Sequence, residues 1–335
     1  MSGRALLARI RRRWRPRPSR PLILMYHRVA ALRVDPWELA VRPEAFAAHL
    51  AVLRETRQPL PMSEFVARAR RGTLPSNAVA LTFDDGYADT LRQARPRLAL
   101  AGVPATLFLA TSFVGQGVEY WWDELARSIL ERNDALDEAV TIGGTVCRLT
   151  LAAANDAAGD SATWRASEAP RTDREQLYYA LWDRLRVLRA PECDAAMQAL
   201  RAVLRAPAPR TDDLPMTASE VRLLAADRLF EIGGHTASHP VLPALTPAER
   251  RHDIGEGKAA CERLIGRTPA GFAYPHGAND ADSRAAVAEC GFEWACTTQS
   301  AAVPASVADW YGLPRLAVLD WDAATFAQVL EGASA

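Results

Sequence analysis

The chain of 335 residues is 49% hydrophobic and 24% charged, a globular composition long enough for one large α/β domain or two ordinary ones. Lys+Arg and Asp+Glu balance at 40 each, so the overall charge gives no reason to expect nucleic acid as a partner. The five cysteines are odd in number and hold no C-x-x-C pair, which argues against a disulfide framework or a cysteine zinc site and points to reduced thiols in a cytoplasm.

The N-terminal stretch "MSGRALLARIRRRWRPRPSR", residues 1–20, carries eight Arg and no acid, and the other 315 residues are mildly acidic with 32 basic and 40 acidic groups. Its longest apolar run, "ALLA", falls short of the roughly 7–15 residues of a secretory signal core. Nowhere does the sequence approach the roughly 18 apolar residues of a transmembrane helix. With Leu6, Leu7, Ile10 and Trp14 among its arginines, the arm is suited to peripheral contact with an anionic membrane surface. A disordered tail is the alternative. The expected location is the cytoplasm, with the inner face of the membrane as a variant. Only Trp14 interleaves the basic residues, so the arm does not read as a nucleic-acid binder.

From residue 21 the chain alternates short apolar runs with amphipathic segments: "PLILMYHRV", "PEAFAAHLAVLRE", "AVALTFDDG", "YADTLRQARPRLALAG" and "PATLFLAT". This β-α-β-α-β cadence predicts a parallel sheet. Gly102 followed by Pro104 stops the second helix. Residues from about 115 to 214 lose the cadence and read as a mainly helical, polar insertion with Trp121, Trp122, Trp164 and Trp182. The cadence then returns. Thr217 with Glu220, and Thr246 with Pro247 and Glu249, have the capping-box spacing of helix starts. Strand-like "LFEIGGHT", "GFAYPHG", "WACTT" and "LPRLAV" follow, with helical "DSRAAVAECG" and "TFAQVLEG" among them. Residues 21–335 are thus expected to form a single domain of about seven parallel strands.

Three strand ends carry the chemistry. "AVALTFDDG" closes on Asp84 and Asp85, and adjacent carboxylates disfavour each other's ionised forms unless a cation, proton or hydrogen-bond network compensates. By itself Asp-Asp-Gly-Tyr is also ordinary turn chemistry. "GGHTASHP" places His235 and His239 four residues apart, a spacing that suits two ligands of a tetrahedral metal on one helical turn. "FAYPHG" runs a strand into a Pro-x-Gly loop. In a parallel α/β sheet these ends meet at one rim, where active sites are built. There is no G-x-S-x-G elbow and no G-x-x-x-x-G-K-[ST] loop; "GEGKAA" lacks the spacing.

With these motifs in this order the sequence resembles the polysaccharide deacetylases with the NodB-homology domain, carbohydrate esterase family four. "TFDDG" at 82–86 resembles that family's first motif, "HTASH" at 235–239 its H-[ST]-x-x-H motif, and "FAYPHG" at 272–277 its third. The resemblance covers about residues 21–113 and 215–320. It implies a partly closed (β/α) barrel and one divalent metal, commonly Zn2+, held by Asp85, His235 and His239. It further implies that Asp84 takes the proton of the attacking water and that the backbone N–H of His276 stabilises the oxyanion, with Tyr274, Pro275 and Gly277 around the substrate. Two departures stand out. The family's third motif carries an Arg that braces the base, and Ala273 stands there; Arg315 in "LPRLAV" is a candidate to bring the guanidinium from another strand, or is a surface residue at a strand end. The family's last motif supplies a histidine acid near the C-terminus, yet no histidine follows His276; "LMYH" resembles that motif moved to the front, as in circularly permuted members, which makes His27 the candidate acid.

What the resemblance implies is an N-deacetylase acting on N-acetylhexosamine units of a polysaccharide, oligosaccharide or glycolipid. Alternatives are a deformylase of a lipid-linked amino sugar and a non-catalytic glycan-binding relative. Of the remaining histidines, His49 reads as structural, His252 as solvated, and His276 as a sugar-stacking residue or a rival acid.

Overall fold

A computed structural model describes residues 19–153, 161–206 and 208–333. The basic arm lies outside the described residues except for Ser19 and Arg20. No helix among the described residues is long and apolar enough to cross a membrane.

The strands are β1 Leu22–Tyr26, β2 Arg28–Val29, β3 Ala40–Val41, β4 Gln58–Pro59, β5 Ala78–Phe83, β6 Ala105–Leu109, β7 Leu136–Ile142, β8 Thr145–Leu151, β9 Phe230–Gly234, β10 Gly271–Ala273, β11 Trp294–Cys296 and β12 Leu316–Ala317. Seven of them form a parallel sheet in the order β11-β10-β9-β6-β5-β1-β12, and short β4 also pairs with β5. The sheet curls into a half-barrel with helices around it, the α/β architecture expected. A bridge from Cys296 to Leu313, just before β12, ties one edge toward the other. β1 lies between β5 and β12, so the first and last strands of the sheet are neighbours.

β1, β5 and β6 are buried on both faces, which is why they read as unbroken apolar runs rather than alternating ones. Their side chains nonetheless divide with period two. Leu22, Leu24 and Tyr26 with Val79, Leu81 and Phe83 pack outward against the helical layer. Ile23, Ala80 and Phe108 point inward with Ala273, Trp294 and Cys296. The capping boxes at Thr217/Glu220 and Thr246/Glu249 are both formed and start the helices Ala218–Ala225 and Pro247–Ile265.

Between β6 and β9 lie the helices Trp121–Leu130, Asp173–Leu185 and Ala190–Leu204, which share a second apolar core around Leu125, Trp164, Tyr178 and Leu200. The segment is mainly helical as expected, but it also contains the antiparallel hairpin β7–β8, which the sequence reading did not anticipate.

Candidate active site

Successive residues of a strand face opposite sides, so Thr82 and Asp84, two apart at the end of β5, share the inner side. Asp85 has φ 73°, outside the extended region, and this turn brings its carboxylate into the same cavity as that of Asp84. Its carbonyl accepts from Tyr120 Oη at 2.9 Å and from Ala110 N at 3.1 Å, which pin the turn.

The fully buried Arg315 reaches across from the segment entering β12. Its two terminal nitrogens donate to the two oxygens of Asp84, each at 2.7 Å, and it also donates to Thr82 Oγ1 and the Thr297 carbonyl, both at 3.0 Å. Burial pushes the Asp84 carboxyl up, but the bidentate guanidinium, with His235 and His27, outweighs it and holds the group below its ordinary range. Arg315 is therefore no surface residue, and Asp84 stays ionised.

His235 follows β9. Its Nδ1 donates to the Ala273 carbonyl at 2.8 Å, so the proton sits on Nδ1 and Nε2 offers its lone pair toward Asp85. Ala273 thus lacks the side chain to brace Asp84, but its carbonyl orients His235. His239 Nε2 and His235 Nε2 both lie 3.3 Å from Asp85 Oδ1. One ligand atom from each of Asp85, His235 and His239 falls within 4.8 Å of the others, and all three residues are buried. Asp85 Oδ1 has no hydrogen-bond partner among the described residues. A buried carboxylate oxygen left unpaired between two imidazole nitrogens is costly unless a cation occupies the gap, so the donor set fits a divalent ion.

The loop carrying the histidines is held from below. Asp253, on the helix Pro247–Ile265, accepts from the backbone N–H groups of Ala237 and Ser238 at 3.0 and 3.1 Å. One turn further along that helix, Gly257 lets the backbones meet: a Cβ there would lie 2.3 Å from the carbonyl carbon of Thr236. Gly257→Ala is expected to destabilise the fold by about 1–3 kcal/mol through overpacking and to weaken metal binding with it. Denaturant unfolding with and without metal checks this, and an unchanged midpoint would mean that loop and helix separate freely.

His27, just beyond β1, lies with Nε2 4.0 Å from Asp84 Oδ2 and lines the same cavity of about 220 Å³. Beyond β10, His276 adopts φ 56°, ψ 7° and packs its ring 4.5 Å from that of His239. Gly277 follows at φ 66°, where a Cβ would overlap the Thr298 side chain. The Tyr274 hydroxyl donates to the Tyr311 carbonyl at 3.0 Å. Burial, with His239 adding to it, holds His276 well below the ordinary imidazole range, and its Nε2 has no partner among the described residues. His49 is buried, with Nε2 2.8 Å from the Trp321 carbonyl oxygen and its ring stacked on Phe326, and His252 is exposed.

The family profile described as polysaccharide deacetylase matches residues 71–207 and 185–295. The chain belongs to the polysaccharide deacetylase family. The Bacillus subtilis (strain 168) protein "Putative polysaccharide deacetylase YxkH" is 33% identical over 101 residues, 30% of this chain and 35% of that protein's length. The Streptococcus pyogenes deacetylase PplD, solved in complex with acetate, shares the fold at a TM-score of 0.59 with 16% identity, covering 94% of this chain and 99% of that one. IcaB from Ammonifex degensii does so at 0.57 with 18% identity, covering 95% and 98%.

In this member of the family the cavity brings together Asp84, Asp85, His235, His239, His27 and the Tyr274–Gly277 turn. Its aromatic wall draws Trp122 and Trp182 from the insertion, which the sequence had marked out, and Trp37, which it had not. Trp122 lies 4.8 Å from the His239 ring, while Trp37 and Trp182 pack together at 4.1 Å across the cavity mouth. Trp37 is fixed by donating from Nε1 to Tyr178 Oη at 2.7 Å.

Proposed function

We propose that the protein is a metal-dependent hydrolase that removes N-acetyl groups from N-acetylhexosamine units of a glycan or glycolipid. The observation that carries the reading is the unpaired, buried Asp85 Oδ1 facing two imidazoles beside a second carboxylate that Arg315 keeps charged. A divalent ion, for which the two-His, one-Asp set suits Zn2+, supplies Lewis acidity toward the amide carbonyl and the attacking water. Asp84 accepts the water's proton; although Arg315 engages both of its oxygens, each keeps a further lone pair. As the amide carbon becomes tetrahedral, the His276 backbone N–H is assigned to the developing oxyanion. On collapse the C–N bond breaks, acetate leaves, and the amine takes a proton from His27. The His276 side chain, held neutral by burial, is the poorer donor.

The test is a panel of N-acetylated and N-formylated oligosaccharides and lipid-linked amino sugars, with the released acid identified. Acetate from hexosamine glycans supports the reading. Formate alone would turn it into a deformylase, and specific binding without acid release would leave a glycan-binding relative. His27→Ala is expected to lower kcat by about 10²-fold or more with metal content unchanged, the scale for removing a general acid. Normal kcat in that variant would return the acid role to Asp84 or His276.

A further inference from the structure

The two histidines of the site are held in different ways. His235 donates from Nδ1 to the Ala273 carbonyl, as a metal-binding imidazole ordinarily does with its second nitrogen. Nδ1 of His239 is buried and has no hydrogen-bond partner among the described residues. The His239 backbone is tied down, its N–H donating to Thr236 Oγ1 at 2.9 Å, but that bond leaves the ring free to turn about its own side-chain torsions. Aromatic packing restrains it instead. The Trp122 ring lies 4.8 Å from the His239 ring and the His276 ring 4.5 Å from it.

Trp122 is itself fixed by hydrogen bonds that lead away from the site. Its Nε1 donates to Tyr87 Oη at 2.8 Å, and that hydroxyl donates to Asp123 Oδ2 at 2.7 Å. Asp123 stands 3.7 Å from Nη1 of the buried Arg28, which pairs with Asp89 at 2.9 Å and with Asp213 at 2.6 Å and lies 4.4 Å over the Tyr87 ring. Tyr120 stacks on Trp122 at 4.7 Å and donates to the Asp85 carbonyl at 2.9 Å. The buried cluster of Tyr87, Tyr120 and Trp122 therefore touches both Asp85 and His239. Tyr120, Trp122 and Asp123 belong to the start of the insertion and Asp213 to its end, so the insertion returns to Arg28 at both ends.

We infer that Trp122, held through Tyr87 by Asp123, is a positioning residue for His239, doing by ring packing what the Ala273 carbonyl does for His235 by a hydrogen bond. The inference rests on the metal-dependent reading above. An indole that confines the imidazole leaves Nδ1 without a partner, and any shift of the indole passes to Nε2, the atom facing Asp85. The barrel strands then supply the ligands, and the insertion sets how tightly they hold an ion.

The experiment measures Zn2+ affinity by competition with a chromophoric chelator, and the visible spectrum of Co2+-loaded protein, in the full chain. Tyr87→Phe removes only the hydroxyl that joins Trp122 to Asp123. It is expected to weaken Zn2+ binding about tenfold or more, the scale for losing a residue that orients a metal ligand, and to alter the Co2+ spectrum. Asp123→Ala and Trp122→Ala are expected to do the same, whereas Asp123→Asn keeps an oxygen to accept from Tyr87 and is expected to bind as wild type does. Thermal unfolding without metal is measured alongside, because a merely structural role lowers stability and leaves affinity and spectrum alone. Wild-type affinity and spectrum in Tyr87→Phe would overturn the inference and leave the deacetylase reading standing, even if Trp122→Ala fails to fold. Asp123→Asn binding as weakly as Asp123→Ala would also overturn it, since charge beside Arg28 would then be what matters. A wild-type chain that takes up no Zn2+ would remove both the inference and the reading on which it rests.

Discussion

Asp84→Asn is expected to cut deacetylation by at least about 10²-fold, the low end for removal of a general base, with metal content unchanged. The amide is isosteric with the carboxylate, so Thr82, Thr297 and the strands around them keep their places. What changes is the proton acceptor, and with it the charge that Arg315 meets at 2.7 Å on each oxygen. Because Arg315 is fully buried, the variant leaves a guanidinium without its counter-charge, and a loss of stability of about 3–5 kcal/mol accompanies the loss of rate. Arg315→Met separates the two effects, since it spares the acceptor but removes the group that keeps it charged. In that variant Asp84 is expected to titrate upward, so that the acid limb of the pH–rate profile moves to higher pH. An Asp84→Asn enzyme of normal rate would place the base elsewhere.

Asp85→Ala has an expected outcome that a structural role would not produce. In metal-free protein burial pushes the Asp85 carboxyl up, but the imidazoles of His235 and His239, each 3.3 Å from Asp85 Oδ1, hold that carboxylate well below its ordinary range, so its removal is expected to cost stability. With metal the gap widens. Wild type is expected to bind about one ion per chain and to be stabilised by it, whereas Asp85→Ala and the triple variant with His235→Ala and His239→Ala are expected to bind none and gain nothing. Thermal unfolding with and without Zn2+, paired with elemental analysis, reads this directly. Metal content in the triple variant equal to that of wild type would overturn the ligand assignment.

Much of the fold and site could be read from local sequence, because each feature had a short-range cause. Unbroken apolar runs marked strands covered on both faces, and T-x-x-E spacing marked two helix starts. The Asp-Asp pair sits in one turn of chain, and the His-x-x-x-His pair on one short loop, where Thr236 and His239 at φ 66° and 57° replace the helical turn that the spacing suggested. What escaped the reading depends on contacts distant in sequence. Arg315 meets Asp84 across 231 positions because β12 pairs with β1 and β1 with β5, so from spacing alone a surface role was as good a reading. Trp37 and Trp182 meet only through the insertion folding back over the barrel mouth. The β7–β8 hairpin did leave a signal: Gly143 and Gly144, at φ 56° and 77°, form a two-residue turn between Ile142 and Thr145. It was hidden because Asp137, Thr141, Arg148 and Thr150 on its exposed face resemble a polar helix surface.

The most direct test of the central proposal is acetate release from an N-acetylhexosamine oligomer by purified protein, before chelation, after chelation, and after one equivalent of Zn2+ is returned. The expected result is activity that disappears with the metal and returns with it in wild type, while Asp84→Asn recovers the ion but not the rate. Acetate release that survives complete metal removal, or that returns equally in Asp84→Asn, would contradict it.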